Sequence, residues 1–159
     1  GFDRVYTEQA SSPVDPGLRA ARLGGDGLFL IYTSGTTGLP KAARISHTKA
    51  ITTGIASAKS LGLDVNDRSY CCLPLYHSAG GMMSAGGALL SGGALVIARR
   101  FSAKRFWEEV SAHNCTVIQY IGELARYLVG YAKKNPYVYN IPHTVRLAMG
   151  NGIFLAYFA

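Results

Sequence analysis

Between positions 31 and 41 the chain reads IYTSGTTGLPK. Hydroxyls at Thr33, Ser34, Thr36 and Thr37 surround Gly35, Gly38 follows them, and Lys41 stands behind Pro40. Glycines let the backbone turn and present N–H groups with no Cβ in the way. Hydroxyls add further donors and the lysine adds a point charge, so the set suits an anion, phosphate above all. The plain alternative is a polar surface turn, where Ser, Thr and Gly are also common. A Walker A loop is excluded by counting from Gly35. Pro40 stands where that pattern needs its second glycine, and Ala42 follows Lys41 where it needs Ser or Thr.

A second stretch with chemical potential is LPLYHSAG at 73–80. His77 can orient a substrate through a ring N–H, or serve as a hydrogen-bonded structural histidine. Tyr76 beside it reads more readily as packing than as chemistry. Glu123 and Arg126 lie three apart and can pair locally on a helix.

These residues need a scaffold to hold them. Residues 28–33 form a continuous apolar and β-branched run, the pattern of a strand buried on both faces, with the glycine-threonine loop at its carboxyl end. Ser46 can cap a helix that sets Ala50, Ile51, Ile55, Ala58 and Leu61 on one side, and Gly62 ends it. Further strands are expected at 69–73, 94–98, 116–119 and 145–149, with helices at 80–90, from Ser102 onward, and at 123–131. The alternation predicts an α/β fold: a largely parallel sheet with helices on both faces and ligands at the carboxyl ends of the strands. Residues 1–26 read as an irregular lead-in, 27–153 as the body of the domain, and 154–159 as an apolar tail. The start on Gly1 and the end on FLAYFA read as those of a segment of a longer polypeptide.

Composition narrows the function classes. Hydrophobic residues make up 48% and charged residues 16%, which is globular material. The net charge of +7 is dispersed, with Arg99-Arg100 and Lys133-Lys134 the densest pairs. Dispersal argues against a nucleic-acid stripe and favours a polyanionic small molecule or an anionic membrane surface. Three cysteines, two of them adjacent, fit a reducing compartment, and no spacing of Cys or His suggests a metal site. Residues 69–98 carry no charge, and 78–98 are long enough to span a bilayer. Three Gly-Gly pairs in that stretch leave little apolar surface for lipid, so it reads better as a buried helix followed by a core strand. Those glycines admit either close backbone or acyl-chain approach, or simple helix–strand packing.

IYTSGTTGLPK resembles the phosphate-binding signature of the AMP-forming acyl and aryl adenylating enzymes, which include acyl-CoA synthetases, luciferases and peptide-synthetase adenylation domains. Alanine after Lys41, where that superfamily usually has glycine, looks like the branch of fatty acid transport proteins, also called very-long-chain acyl-CoA synthetases. LPLYHSAG resembles the second core motif, and VIQYIGELARYL at 117–128 is similar to a transport-protein signature. Gly150, Asn151 and Gly152 sit where the family places an adenine-contacting turn, although a plain turn after a strand fits them too. The likeness covers about residues 28–153.

The resemblance implies part of the large N-terminal domain of an acyl-adenylating enzyme that activates long or very long chain fatty acids to acyl-CoA through acyl-AMP, coupled to fatty acid uptake. It assigns the ATP phosphates to Thr33, Ser34, Gly35, Thr36, Thr37, Gly38 and Lys41, although Lys41 also reads as a solvated surface lysine. It assigns the acyl and carboxylate pocket to Tyr76 and His77, and adenine contact to Gly150, Asn151 and Gly152. Tyr120 and Gly122 are implied for the wall of an acyl tunnel. The implied co-substrates are ATP and CoA, with Mg2+ held by a Thr-Glu motif. That motif, a ribose-gripping aspartate and an essential lysine of a C-terminal domain have no candidates here, since no acid follows Glu123. No catalytic set is therefore complete, and the chain alone is expected to be inactive. The implied setting is intracellular and membrane-associated, on the cytosolic face of the endoplasmic reticulum, peroxisome or plasma membrane. Two other readings stay open: a ligase for a bile, aryl or amino acid, and a non-catalytic lipid- or nucleotide-binding module.

Overall fold

The computed structural model describes residues 15–33 and 40–151. A short helix α1 (Gly17–Ala20) precedes β1 (Gly27–Thr33), and β2 (Lys41–Ser46) returns antiparallel beside it. The pair forms its own two-stranded sheet. This corrects the expectation for 28–33. Ile31 is buried, but Leu28, Phe29, Leu30 and Tyr32 are exposed, and β1 takes no place in the parallel sheet. Its partner was missed because KAARIS begins with four exposed residues and offers no apolar run to read.

The core is a four-stranded sheet in the order β4-β3-β5-β6, every pairing parallel. Its strands are β3 (Arg68–Cys71), β4 (Ala94–Ile97), β5 (Val117–Ile121) and β6 (Leu147–Asn151). Successive residues of β3 serve opposite faces. Tyr70 packs with Phe106, Val110, Ile118 and Leu128 under α4 (Phe106–Ala112) and α5 (Gly122–Lys134). Its ring meets Phe106 edge to face at 5.0 Å, and its hydroxyl donates to Glu109 at 2.6 Å. Burying one such aromatic ring stabilises by about 2–3 kcal/mol. Cys71 turns to the other side with Leu73 and Ala79, under α2 (His47–Ser60), a π-helical segment (Ala79–Ala85) and α3 (Gly86–Ser91). Helices cover both faces, as expected.

Ser46 caps α2 as read, its Oγ accepting from the Lys49 N–H at 3.2 Å. The buried side is different: Gly54, Ser57 and Ala58 face inward, while Ile51 and Ile55 are exposed. Close helix approach is the reason. A Cβ on Gly54 would stand 2.7 Å from Leu90 Cδ1 and 2.9 Å from the Gly86 carbonyl carbon. Small residues win that face although larger apolar ones were available one turn away. Gly54→Val should therefore lower the stability of the fold by about 1–3 kcal/mol, read as an earlier midpoint in urea denaturation.

Residues 69–98 resolve into strand, turn, π- and α-helix, and strand, and none of the described helices is long and apolar enough to cross a membrane. The Gly-Gly pair at 80–81 serves packing, since side chains there would overlap the Pro74 and Leu75 carbonyl oxygens. Gly92, at φ 77, closes α3 in the left-handed conformation. Helix α4 starts later than expected because residues 103–105 form a turn whose Ser102 carbonyl accepts the Phe106 N–H at 2.9 Å. A 3-10 helix (Pro136–Asn140) after α5 was not anticipated.

Three strands are pinned at their amino ends by a polar knot. Asp67, buried just before β3, accepts from Thr116 Oγ1 at 2.7 Å and from Arg146 Nε at 2.9 Å. Thr116 Oγ1 in turn accepts the Arg68 N–H at 3.0 Å. No local spacing betrays this knot, because its members lie 49 and 79 positions from Asp67.

Candidate functional site

Thr33 ends β1 directly opposite Lys41, which begins β2. Paired strands lie about 5 Å apart, so both ends of the glycine-threonine loop are fixed close together. Residues 34–40 bridge that gap, far more chain than a tight two-residue hairpin needs. Ser34, Gly35, Thr36, Thr37 and Gly38 lie outside the described residues. The loop is thus a hairpin connection. The expectation that it joins a core parallel strand to a helix is corrected, since β2 intervenes before α2.

The hairpin is anchored by its few buried residues. Ile31 and Ile45 pack with Met82 of the π-helical segment. That segment begins just after His77, so one apolar cluster ties the loop's base to the His77 turn. His77 is exposed, and its Nδ1 accepts the Ala79 N–H at 3.3 Å. With Nδ1 acting as acceptor, the proton of the neutral ring sits on Nε2 as a remaining donor. The main chain holds the turn on both sides: the His77 N–H donates to Pro74 O at 3.1 Å, and His77 O accepts the Gly81 N–H at 2.8 Å. Tyr76 is 82% exposed, which overturns its reading as a packing residue.

His77 lies just beyond the carboxyl end of β3, and the carboxyl ends of β5 and β6 share that edge because the strands are parallel. Gly150 belongs to β6, in register with Tyr120, and Asn151 pairs with Ile121. The expectation of a turn there is corrected for these two; Gly152 lies outside the described residues. A Cβ on Gly150 would stand 2.6 Å from the Tyr120 ring, so the glycine makes room for a buried phenol. Burial pushes that phenol's pKa up. Gly122 opens α5, and Glu123 and Arg126 form the expected local ion pair on its exposed side. Gln119, in the middle of β5, is 3% exposed and its Oε1 has no hydrogen-bond partner among the described residues. It was not singled out from the sequence.

Among the described residues no group of three or more His, Cys, Asp or Glu could hold a metal ion. The cysteines are free and buried. Burial, and secondarily Cys71 beside it, pushes the Cys72 thiol up to about 12, and burial raises Cys115 as well. Thiolate is the nucleophile, so neither should react at neutral pH. Iodoacetamide at pH 7.5 should leave Cys72 and Cys115 unlabelled in the native protein and label both in urea, as read by peptide mass spectrometry.

Residues 4–153 match the family profile of the AMP-binding enzymes. The chain is 45% identical over 145 residues to long-chain fatty acid transport protein 1 of Rattus norvegicus, covering 91% of this chain and 22% of that protein. It spans about a fifth of the length of such curated relatives. Among solved structures it is similar to the N-terminal domain of FACL13 from Mycobacterium tuberculosis, with TM-score 0.71 and 23% identity over 95% of this chain and 36% of that one. It also resembles o-succinylbenzoate CoA synthetase of Bacillus subtilis in complex with its acyl-adenylate intermediate, with TM-score 0.68 and 27% identity over 82% of this chain and 25% of that one.

Proposed function

The chain belongs to the AMP-binding enzyme family, and on that premise we propose that the protein carrying it activates long or very long chain fatty acids to acyl-CoA with ATP. A carboxylate oxygen attacks the α-phosphorus, the bond to the β-phosphate bridging oxygen breaks, and pyrophosphate leaves. The CoA sulfur then displaces AMP from the acyl carbon. The first step brings anions together, so it needs donors that hold the phosphates and offset their charge.

One observation carries the reading. A glycine- and threonine-rich loop is held on an anchored hairpin, whose packing partner Met82 lies next to the His77 turn at the carboxyl edge of a parallel sheet. Main-chain amides of Thr33, Ser34, Gly35, Thr36, Thr37 and Gly38, with their hydroxyls, take the β- and γ-phosphates, and Lys41 adds charge. His77 Nε2–H faces the acyl carboxylate, and Tyr76 borders the same pocket. Gly150, Asn151 and Gly152 meet the adenine. The domain body is residues 27–153. Mg2+ accompanies ATP through ligands supplied outside this chain. Association with the cytosolic face of an endoplasmic reticulum, peroxisomal or plasma membrane is taken from the family resemblance, and the net charge of +7 permits it.

A second reading keeps the adenylate and changes the acid, favoured by the likeness to an o-succinylbenzoate ligase. ATP–pyrophosphate exchange by the full natural chain, measured across a panel of palmitate, a C24 fatty acid, a bile acid, an aryl acid and amino acids, separates the two. Exchange with the fatty acids supports the proposal. Exchange confined to another class replaces the substrate, and exchange with none of them removes the ligase assignment.

A further inference from the structure

We propose that Ser102 is a phosphorylation site for a serine kinase whose peptide groove is acidic. Residues 99–105 read RRFSAKR, so one hydroxyl stands among four cations. Ser102 is the one Ser or Thr in the sequence with basic residues both two and three positions before it. A kinase selects its serine by matching charge along a short extended segment, and an acidic groove takes arginine at those positions. The nearest acids in the sequence, Glu108 and Glu109, follow Ser102 by six and seven positions.

The fold presents this segment at the surface. β4 is an edge strand of the parallel sheet, and the chain leaves it after the Ala98 N–H donates to Cys71 O at 2.9 Å. Arg99 and Arg100 are exposed, and Ser102 is half-buried. Among the described residues, no main-chain hydrogen bond holds Arg99, Arg100 or Phe101, and no acid pairs with either arginine. Phe101 fixes the base of the loop, its ring 6.4 Å from that of Phe106. Ser102 Oγ accepts the Arg105 N–H at 3.4 Å, and its own proton is given to no described residue. An extended fit in a kinase groove therefore costs the turn bonds from the Arg105 and Phe106 N–H groups to Ser102 and the partial burial of Phe101. In the step itself, Ser102 Oγ attacks the γ-phosphorus of the kinase's ATP and its proton passes to the kinase's catalytic aspartate. The bond from that phosphorus to the β,γ-bridging oxygen breaks, and ADP leaves. The product carries about two negative charges next to Arg99, Arg100 and Lys104 in the chain, with Arg105 already paired to Glu109 at 3.5 Å. That charge follows the carboxyl end of β4, on the edge of the sheet that carries the His77 turn. The inference does not depend on the ligase chemistry.

The test is incubation of the folded full natural chain with ATP and one of two kinases, with phosphate located by peptide mass spectrometry. The catalytic subunit of cyclic-AMP-dependent kinase has an acidic groove, whereas casein kinase selects acidic segments. Ser102 should be phosphorylated by the first and not by the second. Arg99→Ala/Arg100→Ala should slow the step by about tenfold or more, since two matched charges are lost, and Arg99→Lys/Arg100→Lys should recover part of the rate. Lys133→Gln/Lys134→Gln on α5 should leave the rate unchanged, which separates the local pattern from net charge. Urea midpoints equal to wild type in the arginine variants show that the loss is one of recognition. Ser102 left unmodified in the folded chain, equal rates in wild type and the arginine-to-alanine pair, or equal modification by casein kinase would overturn the proposal. A chain with no pyrophosphate exchange that is still phosphorylated in this pattern would remove the ligase reading and leave the modification site standing.

Discussion

Alanine at Thr36 or Lys41 is expected to slow acid-dependent ATP–pyrophosphate exchange in the full natural chain. Thr36→Ala should lose about a hundredfold, the usual cost of removing one positioned donor from a developing anionic centre. Lys41→Ala should lose about tenfold, because a lysine opposite Thr33 at the base of the hairpin acts by charge more than by shape. Lys41→Arg should recover part of that loss, whereas a merely solvated lysine would show no difference among the three. The loss should fall mainly on the rate at saturating ATP, since the phosphates gain negative charge on the leaving group as the bond breaks. Unchanged exchange in both alanine variants would refute the assignment of the loop.

The largest effect on stability should come from Asp67→Ala. Its carboxylate gathers donors from Thr116, Arg146 and the Asp64 amide at the amino ends of three strands. Removing one partner of a buried pair costs about 3–5 kcal/mol, and Arg146 is 45% exposed, which places the cost near 3 kcal/mol. The Arg146 guanidinium and the Thr116 hydroxyl hold the Asp67 carboxyl down at about 2, against an ordinary 3.8. A depressed carboxylate pKa contributes stability that is present above the unfolded value and lost as the pH falls through the folded one. The contribution, about 2 kcal/mol, is therefore full at neutral pH and disappears between about pH 4 and pH 2. Denaturation midpoints of wild type and Asp67→Ala should differ most at pH 7 and approach each other across that window. A difference that stays constant from pH 7 to pH 2 would mean that the knot acts by shape alone.

The sheet was legible because its strands are short apolar runs separated by Pro or Gly and by amphipathic helices. SYCCL, ALVIA and TVIQ each lie over an observed strand, shifted by no more than a few residues. The glycine-threonine loop stood out in the sequence for another reason: its residues are poor at packing, so the stretch does not read as part of a core element. What escaped the reading depends on distance in the chain. β2 carries one buried residue, Ile45, and only its pairing with β1 defines it. The inward side of α2 follows from Gly86 lying against Gly54, which no periodicity of α2 contains. Asp67, Thr116 and Arg146 each look like surface polar residues until the strands bring them together. Tyr76 failed in the opposite direction, since an aromatic ring beside a proline turn invites a packing role that the turn does not supply.

A crystal structure of the full natural chain with ATP tests most directly whether a triphosphate sits in the hairpin. The β- and γ-phosphate oxygens should lie about 3 Å from main-chain amides between Ser34 and Gly38, with Lys41 beside them and the adenine near Gly150. A triphosphate bound elsewhere, with those amides bonded to protein acceptors of their own, would contradict it.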